Sequence, residues 1–178
     1  PLYQNFKEVP ELEQELFANK TAYKRGEDIS AEAFYEKAGI WAEFGKIVCI
    51  SVAFFANNEL RITSFASDNE EELLVQFKNL LESHFYQPHH ILCGNNAKEL
   101  DLPYIARRRI VNGVNLPKQL NLFGKKPWEI PHLDTMELWK FGDYKHYTTL
   151  KLLTHLLGIP SPKGDIDGSQ VGTVYYKE

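Results

Sequence analysis

The sequence predicts a mixed α/β fold, and three observations carry that reading. An almost continuous apolar run at 47–55 is followed across Asn57-Asn58 by an alternating run at 60–65, which is the pattern of a β-hairpin. Leu73, Leu74, Phe77, Leu80 and Leu81 then recur at helical spacing. A second apolar strand at 90–93 runs through a polar turn into another helical stripe. The order hairpin, helix, strand, helix, strand, helix fits a mixed sheet flanked by helices.

Taken in order, residues 7–39 are polar and helix-prone, with Val9, Leu12, Leu16 and Phe17 as a stripe, and read as a helical insertion or flanking helices. The 47–55 run is apolar enough to be buried on both faces. Ser67 with Glu70 has the spacing of a capping box before the 70–81 helix. The 91–108 stretch, Ile-Leu-Cys-Gly-Asn-Asn-Ala-Lys-Glu-Leu-Asp-Leu-Pro-Tyr-Ile-Ala-Arg-Arg, places Asp101 two residues before Pro103 at a helix start. Leu102, Ile105, Ala106 and Ile110 mark its apolar face, and Asn112-Gly113 is a stop signal. A Gly/Pro-rich loop spans 112–131, and 132–139 reads as a short strand or strand-to-helix transition. Thr148 or Thr149 opens a helix carrying Leu150, Leu153, Leu156 and Leu157, which Gly158 and Pro160 end.

The 178 residues, 43% of them hydrophobic, are expected to form one domain over 1–178. No run is long enough for a membrane helix and no signal-peptide pattern occurs, so a cytoplasmic location is expected. Cys49 and Cys93 both sit in strand-like runs and read as buried, reduced thiols. Net charge is −4, yet residues 91–164 carry +5 and the remainder −9, an asymmetry that fits either an anionic partner on one face or ordinary solvated charges.

A carboxylate at a strand-to-helix mouth can reach a ligand or metal at a sheet edge. On spacing alone, capping its helix is the expected role of Asp101. Arg107 and Arg108 project away from the apolar stripe, where they can face phosphates, whereas Arg109 falls within it. Asp134 reads as structural at a strand end, with a further acidic metal ligand as the alternative. Phe123, Trp128 and Tyr144 are candidates to stack on unpaired bases, although anchoring their loops in the core is the preferred role. His84, His89, His90 and Cys93 lack paired zinc-ligand spacing, and 165–176 lacks the glycine and glutamate of a calcium loop.

The 91–108 segment resembles the second motif of the DEDD 3′-5′ exonucleases, closest to the proofreading domain of family-B DNA polymerases and its stand-alone bacterial relatives. Asn95 or Asn96, Leu100-Asp101, Pro103 and Arg107-Arg108 fill that motif's places. His132-Leu-Asp-Thr-Met-Glu-Leu-Trp139 and Ser161-Pro-Lys-Gly-Asp-Ile-Asp-Gly-Ser169 fit the same family, so the resemblance spans most of 40–176.

The resemblance implies a ribonuclease H-like sheet and two-metal hydrolysis of phosphodiester bonds at single-stranded DNA or RNA 3′ ends. Mg²⁺ or Mn²⁺ would be held by carboxylates, the hard ligands such ions require. It assigns Asp101 as catalytic metal ligand. Asn95, Asn96, Arg107, Arg108, Ser161, Lys163 and Ser169 become nucleic-acid contacts.

The family's first-strand Asp-x-Glu and C-terminal Tyr-x-x-x-Asp do not occur here, and Tyr175 and Tyr176 are not assigned to that tyrosine. The chain is therefore expected to lack the family's first strand, to be truncated at both ends relative to the family, and to be inactive alone. That strand would lie between the 47–55 and 90–93 strands, which are expected not to pair with each other. The alternative is a non-catalytic nucleic-acid-binding or scaffold domain of the same fold.

Overall fold

A computed structural model describes residues 1–26, 28–143, 145–160 and 168–177. The fold is mixed α/β. Along the chain come α1 (Glu11–Arg25), α2 (Ala31–Phe34), β1 (Cys49–Ala56), β2 (Glu59–Ala66), α3 (Glu70–His84), β3 (Cys93–Gly94), α4 (Asp101–Val111), β4 (Leu133–Asp134), α5 (Thr135–Lys140), α6 (Leu150–Leu156) and α7 (Val171–Tyr175). They fall into two compact units: residues 1–46 with the described part of 165–178, and residues 47–164.

The first unit is helical and its core is aromatic. Phe17 of α1 is fully buried, with the rings of Phe44, Tyr35, Phe6 and Trp41 around it at 5.1–6.2 Å. Val9 and Phe17 face this cluster, but Leu12 and Leu16 of the expected stripe are exposed. The reason is that packing follows the ring cluster and not an aliphatic seam. Lys46 Nζ donates to the Tyr175 hydroxyl at 2.9 Å, and the Tyr176 hydroxyl donates to the Leu2 carbonyl at 2.8 Å. Both tyrosines thus have structural partners within this unit.

In the second unit β1 and β2 form an antiparallel hairpin, with Phe55 opposite Leu60 and Cys49 opposite Ala66. Asn57 and Asn58 both take positive φ (53° and 64°), the geometry of a type I′ turn, which asparagine tolerates. The expected burial of 47–55 on both faces is not observed. Ile50, Val52 and Phe54 are half-buried, while Cys49, Ser51, Ala53 and Phe55 are exposed, because only one face of the hairpin is covered. Cys93 is exposed as well, so neither thiol is buried.

The helix α3 covers the hairpin's inner face with Leu73, Leu74, Phe77 and Leu81. Its cap is not the expected Ser67–Glu70 box. Asn69 is the N-cap, accepting from the Glu72 N–H at 3.3 Å, while the Ser67 hydroxyl accepts from the Asn69 N–H at 3.1 Å. Glu70 turns inward instead. It accepts from the Ile47 N–H at 2.8 Å, from Arg108 of α4, and from Asn112 Nδ2 at 3.0 Å.

The Asn112-Gly113 stop behaves as expected, with Gly113 at φ 67° and its N–H on the Ile110 carbonyl. Thr149 caps α6 and Gly158, at φ 66°, follows its end. The strands β3 and β4 pair in parallel, Cys93 with Leu133 and Gly94 with Asp134. Among the described residues β1 and β3 share no ladder.

Candidate active site at the mouth of β3 and α4

Parallel pairing sets Gly94 beside Asp134, and the chain must then turn sharply into α4. A Cβ on Gly94 would lie 2.5 Å from the Ala97 Cβ, so this position admits no side chain. Asn96 adopts φ 58°, a left-handed conformation that asparagine accepts more readily than most residues. What holds this turn is Asp134, 2% exposed. One of its oxygens accepts from the Asn96 N–H (2.8 Å) and the Met136 N–H (3.0 Å), and the other from the Lys98 N–H (3.0 Å).

One carboxylate thus satisfies the turn and caps α5 at once. Thr135 adds a hydroxyl donation to Asn95 Oδ1 at 3.0 Å, and Lys98 pairs with Glu137 at 2.7 Å. Beneath the turn, His132 pins both strands. Its Nδ1 accepts from the Leu92 N–H at 3.1 Å, and its Nε2 donates to the Gln119 carbonyl at 2.6 Å. Those roles fix a neutral ring. Burial is the main reason its pKa is lowered, with Lys98 and Lys125 adding to it against the Gln119 hydrogen bond.

The outcome of this scaffolding is the placement of Asp101 at the first residue of α4. It is not a cap. Leu100 holds the cap position and supplies no side-chain bond. Asp101 is exposed in area, yet crowding around its carboxyl raises its pKa, and the Asp134 charge raises it further against its own backbone N–H. Asp101 thus stands near a second negative charge and carries no capping bond.

The other sequence-expected contacts divide. Asn95 and Asn96 lie in the turn before Asp101, and Arg107 is exposed on α4. Arg108 must be reassigned: it is 3% exposed and clamped on Glu70, so it does not reach a phosphate backbone. The stripe misplaced it because α4 packs on α3 over a wider face than its apolar residues mark. Arg109 is fully buried, donating to the Leu74 carbonyl at 2.8 Å and to the Asn115 carbonyl. Ser169 is exposed in the other unit, and Ser161, Lys163 and Tyr144 lie outside the described residues. Phe123 and Trp128 do not anchor the core: both are exposed.

The donor set can be tested against a divalent ion. Both Asp134 oxygens already accept from backbone N–H groups, whereas Asp101 carries no capping bond at this mouth. Among the described residues no three of His, Cys, Asp and Glu come together in a metal-binding group. The described residues therefore do not by themselves fit a pair of metal ions.

Residues 40–178 match a family described as a predicted 3′-5′ exonuclease related to the exonuclease domain of PolB. The chain belongs to this family. The match takes in the hairpin, the Asp101 mouth and the Asp134 strand, so it extends across the whole candidate site. No curated protein and no solved structure matches the chain. Among the described residues no helix is long and apolar enough to cross a membrane.

The wiring of Asp134 is what reading the sequence missed. Its signal was present: an aspartate directly before Thr135-Met136-Glu137 is an N-cap pattern. The reach of that same carboxylate back to Asn96 and Lys98 has no signature in sequence.

Proposed function

We propose that the chain is the domain of a 3′-5′ exonuclease that removes nucleotides from single-stranded nucleic-acid ends, with a ribonuclease H-like sheet and Asp101 as one acidic ligand of a Mg²⁺ or Mn²⁺ site. The observation that carries this is the state of Asp101. It stands at a strand-to-helix mouth, relieved of capping, presented by a turn that a buried carboxylate holds in place.

In this reading Asp101 supplies one carboxylate of the site, and among the described residues no group of three acids joins it. Asn95 and Asn96 line the approach to the metal, and Arg107 contacts phosphate; Ser161, Lys163 and Ser169 are assigned the same role on sequence grounds alone. The chain's own contribution is positional. The Asp134-bound turn fixes Asp101, and hydrolysis requires carboxylates at fixed separation.

The test is trimming of a 5′-labelled single strand in Mn²⁺ by the full-length protein. Asp101→Asn should abolish 3′ nucleotide removal, because the amide keeps the shape and loses the charge. Undiminished trimming by that variant would overturn the assignment.

A further inference from the structure

The loop between Leu120 and His132 presents two large aromatic rings to solvent on a backbone that is itself well organised. Phe123 is 97% exposed and Trp128 77%. The loop leaves from Leu120, which is buried, and returns to His132, also buried and bonded to the Gln119 carbonyl. Between these anchors the Lys125 N–H closes a turn on the Leu122 carbonyl at 3.1 Å, with Gly124 at φ 73°. A 3₁₀ turn at Pro127–Glu129 follows, whose Glu129 carboxylate accepts from the Lys126 N–H at 2.8 Å.

Leaving an exposed Phe and an exposed Trp on an ordered loop forgoes the burial each could contribute to the core. Two exposed rings on one hydrogen-bonded loop leave aromatic faces available to a partner.

The charge of the same segment says what. Residues 112–128 contain Lys118, Lys125 and Lys126 and no acidic residue. The first acid, Glu129, is turned onto the loop's own backbone. Lys126 Nζ lies over the Trp128 ring, 5.3 Å from its centre, so a cation already covers one face of that ring and leaves the other for a base. Rings that every base can stack on, beside cations for the phosphates, are the recognition chemistry of a single-stranded nucleic acid.

We infer that the 122–128 loop is a strand-binding subsite: Phe123 and Trp128 stack on unpaired bases while Lys125 and Lys126 contact the backbone between them. This rests on the exonuclease reading above for its substrate class, and it adds a binding element outside the Asp101 mouth.

The experiment uses the full-length protein and a labelled oligothymidylate with a phosphorothioate 3′ end. Binding is read by fluorescence anisotropy and by quenching of tryptophan emission. Trp128→Ala and Phe123→Ala should each weaken binding roughly five-fold or more, as loss of one stacked base does, with the salt dependence unchanged. Lys125→Ala with Lys126→Ala should instead flatten the salt dependence. Trp128→Phe should retain most of the affinity, since a ring remains to stack on. All four positions are exposed, so the melting temperature should stay within a degree or two of the parent.

Unchanged strand binding in the two aromatic variants would overturn the subsite while leaving the Asp101 assignment standing. Loss of strand binding in them, in a protein that trims nothing with Asp101 intact, would uphold the subsite and overturn the exonuclease reading. Binding to anionic phosphatidylserine vesicles that these substitutions abolish, with strand binding intact, would also overturn it.

Discussion

Asp134 shows how much can hang on one buried carboxylate. Asparagine at that position keeps an acceptor on one side but turns an NH₂ toward an N–H on the other, leaving a buried donor without a partner. The cost should be about 1–3 kcal/mol. Activity of Asp134→Asn, assayed well below its melting temperature, should fall more than the lost stability accounts for, because the Asn96–Lys98 turn that carries Asp101 loosens. Faster amide exchange at Asn96 and Lys98, with exchange in α3 unchanged, is the local readout. Asp101→Asn should behave in the opposite way, abolishing trimming without lowering the melting temperature, since it removes a charge that its surroundings disfavour.

The two neighbouring arginines make a paired control at the same scale. Arg107→Ala should reduce the slope of log affinity against log salt for a single strand by about one. Arg108→Ala should leave that slope alone and destabilise the fold by about 3–5 kcal/mol, because it strands a buried Glu70.

Between elements, the Glu70–Arg108 clamp and the His132 pin set the response to acid. Burial alone would raise the Glu70 carboxyl. Arg108, the Ile47 N–H and Asn112 outweigh it and hold the group below its ordinary value of 4.5. Its stabilising contribution is thus present above pH 4.5 and is lost as pH falls through the folded value. His132, held neutral and below 6.5, adds a second loss: the unfolded chain takes up a proton first, so stability declines as pH drops below 6.5. The melting temperature should fall in two stages on acidification. His132→Gln should remove the upper one, and a pH-independent melting temperature between 7 and 5 in the parent would contradict the pin.

Legibility also differed by element. The hairpin, α3, α4 and α6 were readable because local signals fix them: the paired asparagines, the helical stripes, Asn112-Gly113 and Thr149. The role of Glu70 was not, since its partners Ile47 and Arg108 lie 23 and 38 residues away. Asp101 was singled out by motif as a candidate, but its freedom from capping depends on how the preceding turn is hung from β4.

At the scale of the whole molecule, the outer face of the hairpin has a colloidal consequence. Phe55 and Leu60 stand opposite each other across the ladder, Ile62 lies opposite Ala53, and all four side chains point to water. An apolar sheet face next to a strand edge that has no ladder partner among the described residues is a template for another copy. The 178-residue chain prepared alone should therefore self-associate as it is concentrated, and Ile62→Lys should move that onset to higher concentration without lowering the melting temperature. Sedimentation velocity across a dilution series would show it, and a concentration-independent monomer in the unmodified chain would contradict it. For anyone expressing this domain, solubility would be governed by a few square nanometres of one β-hairpin and not by the net charge of −4.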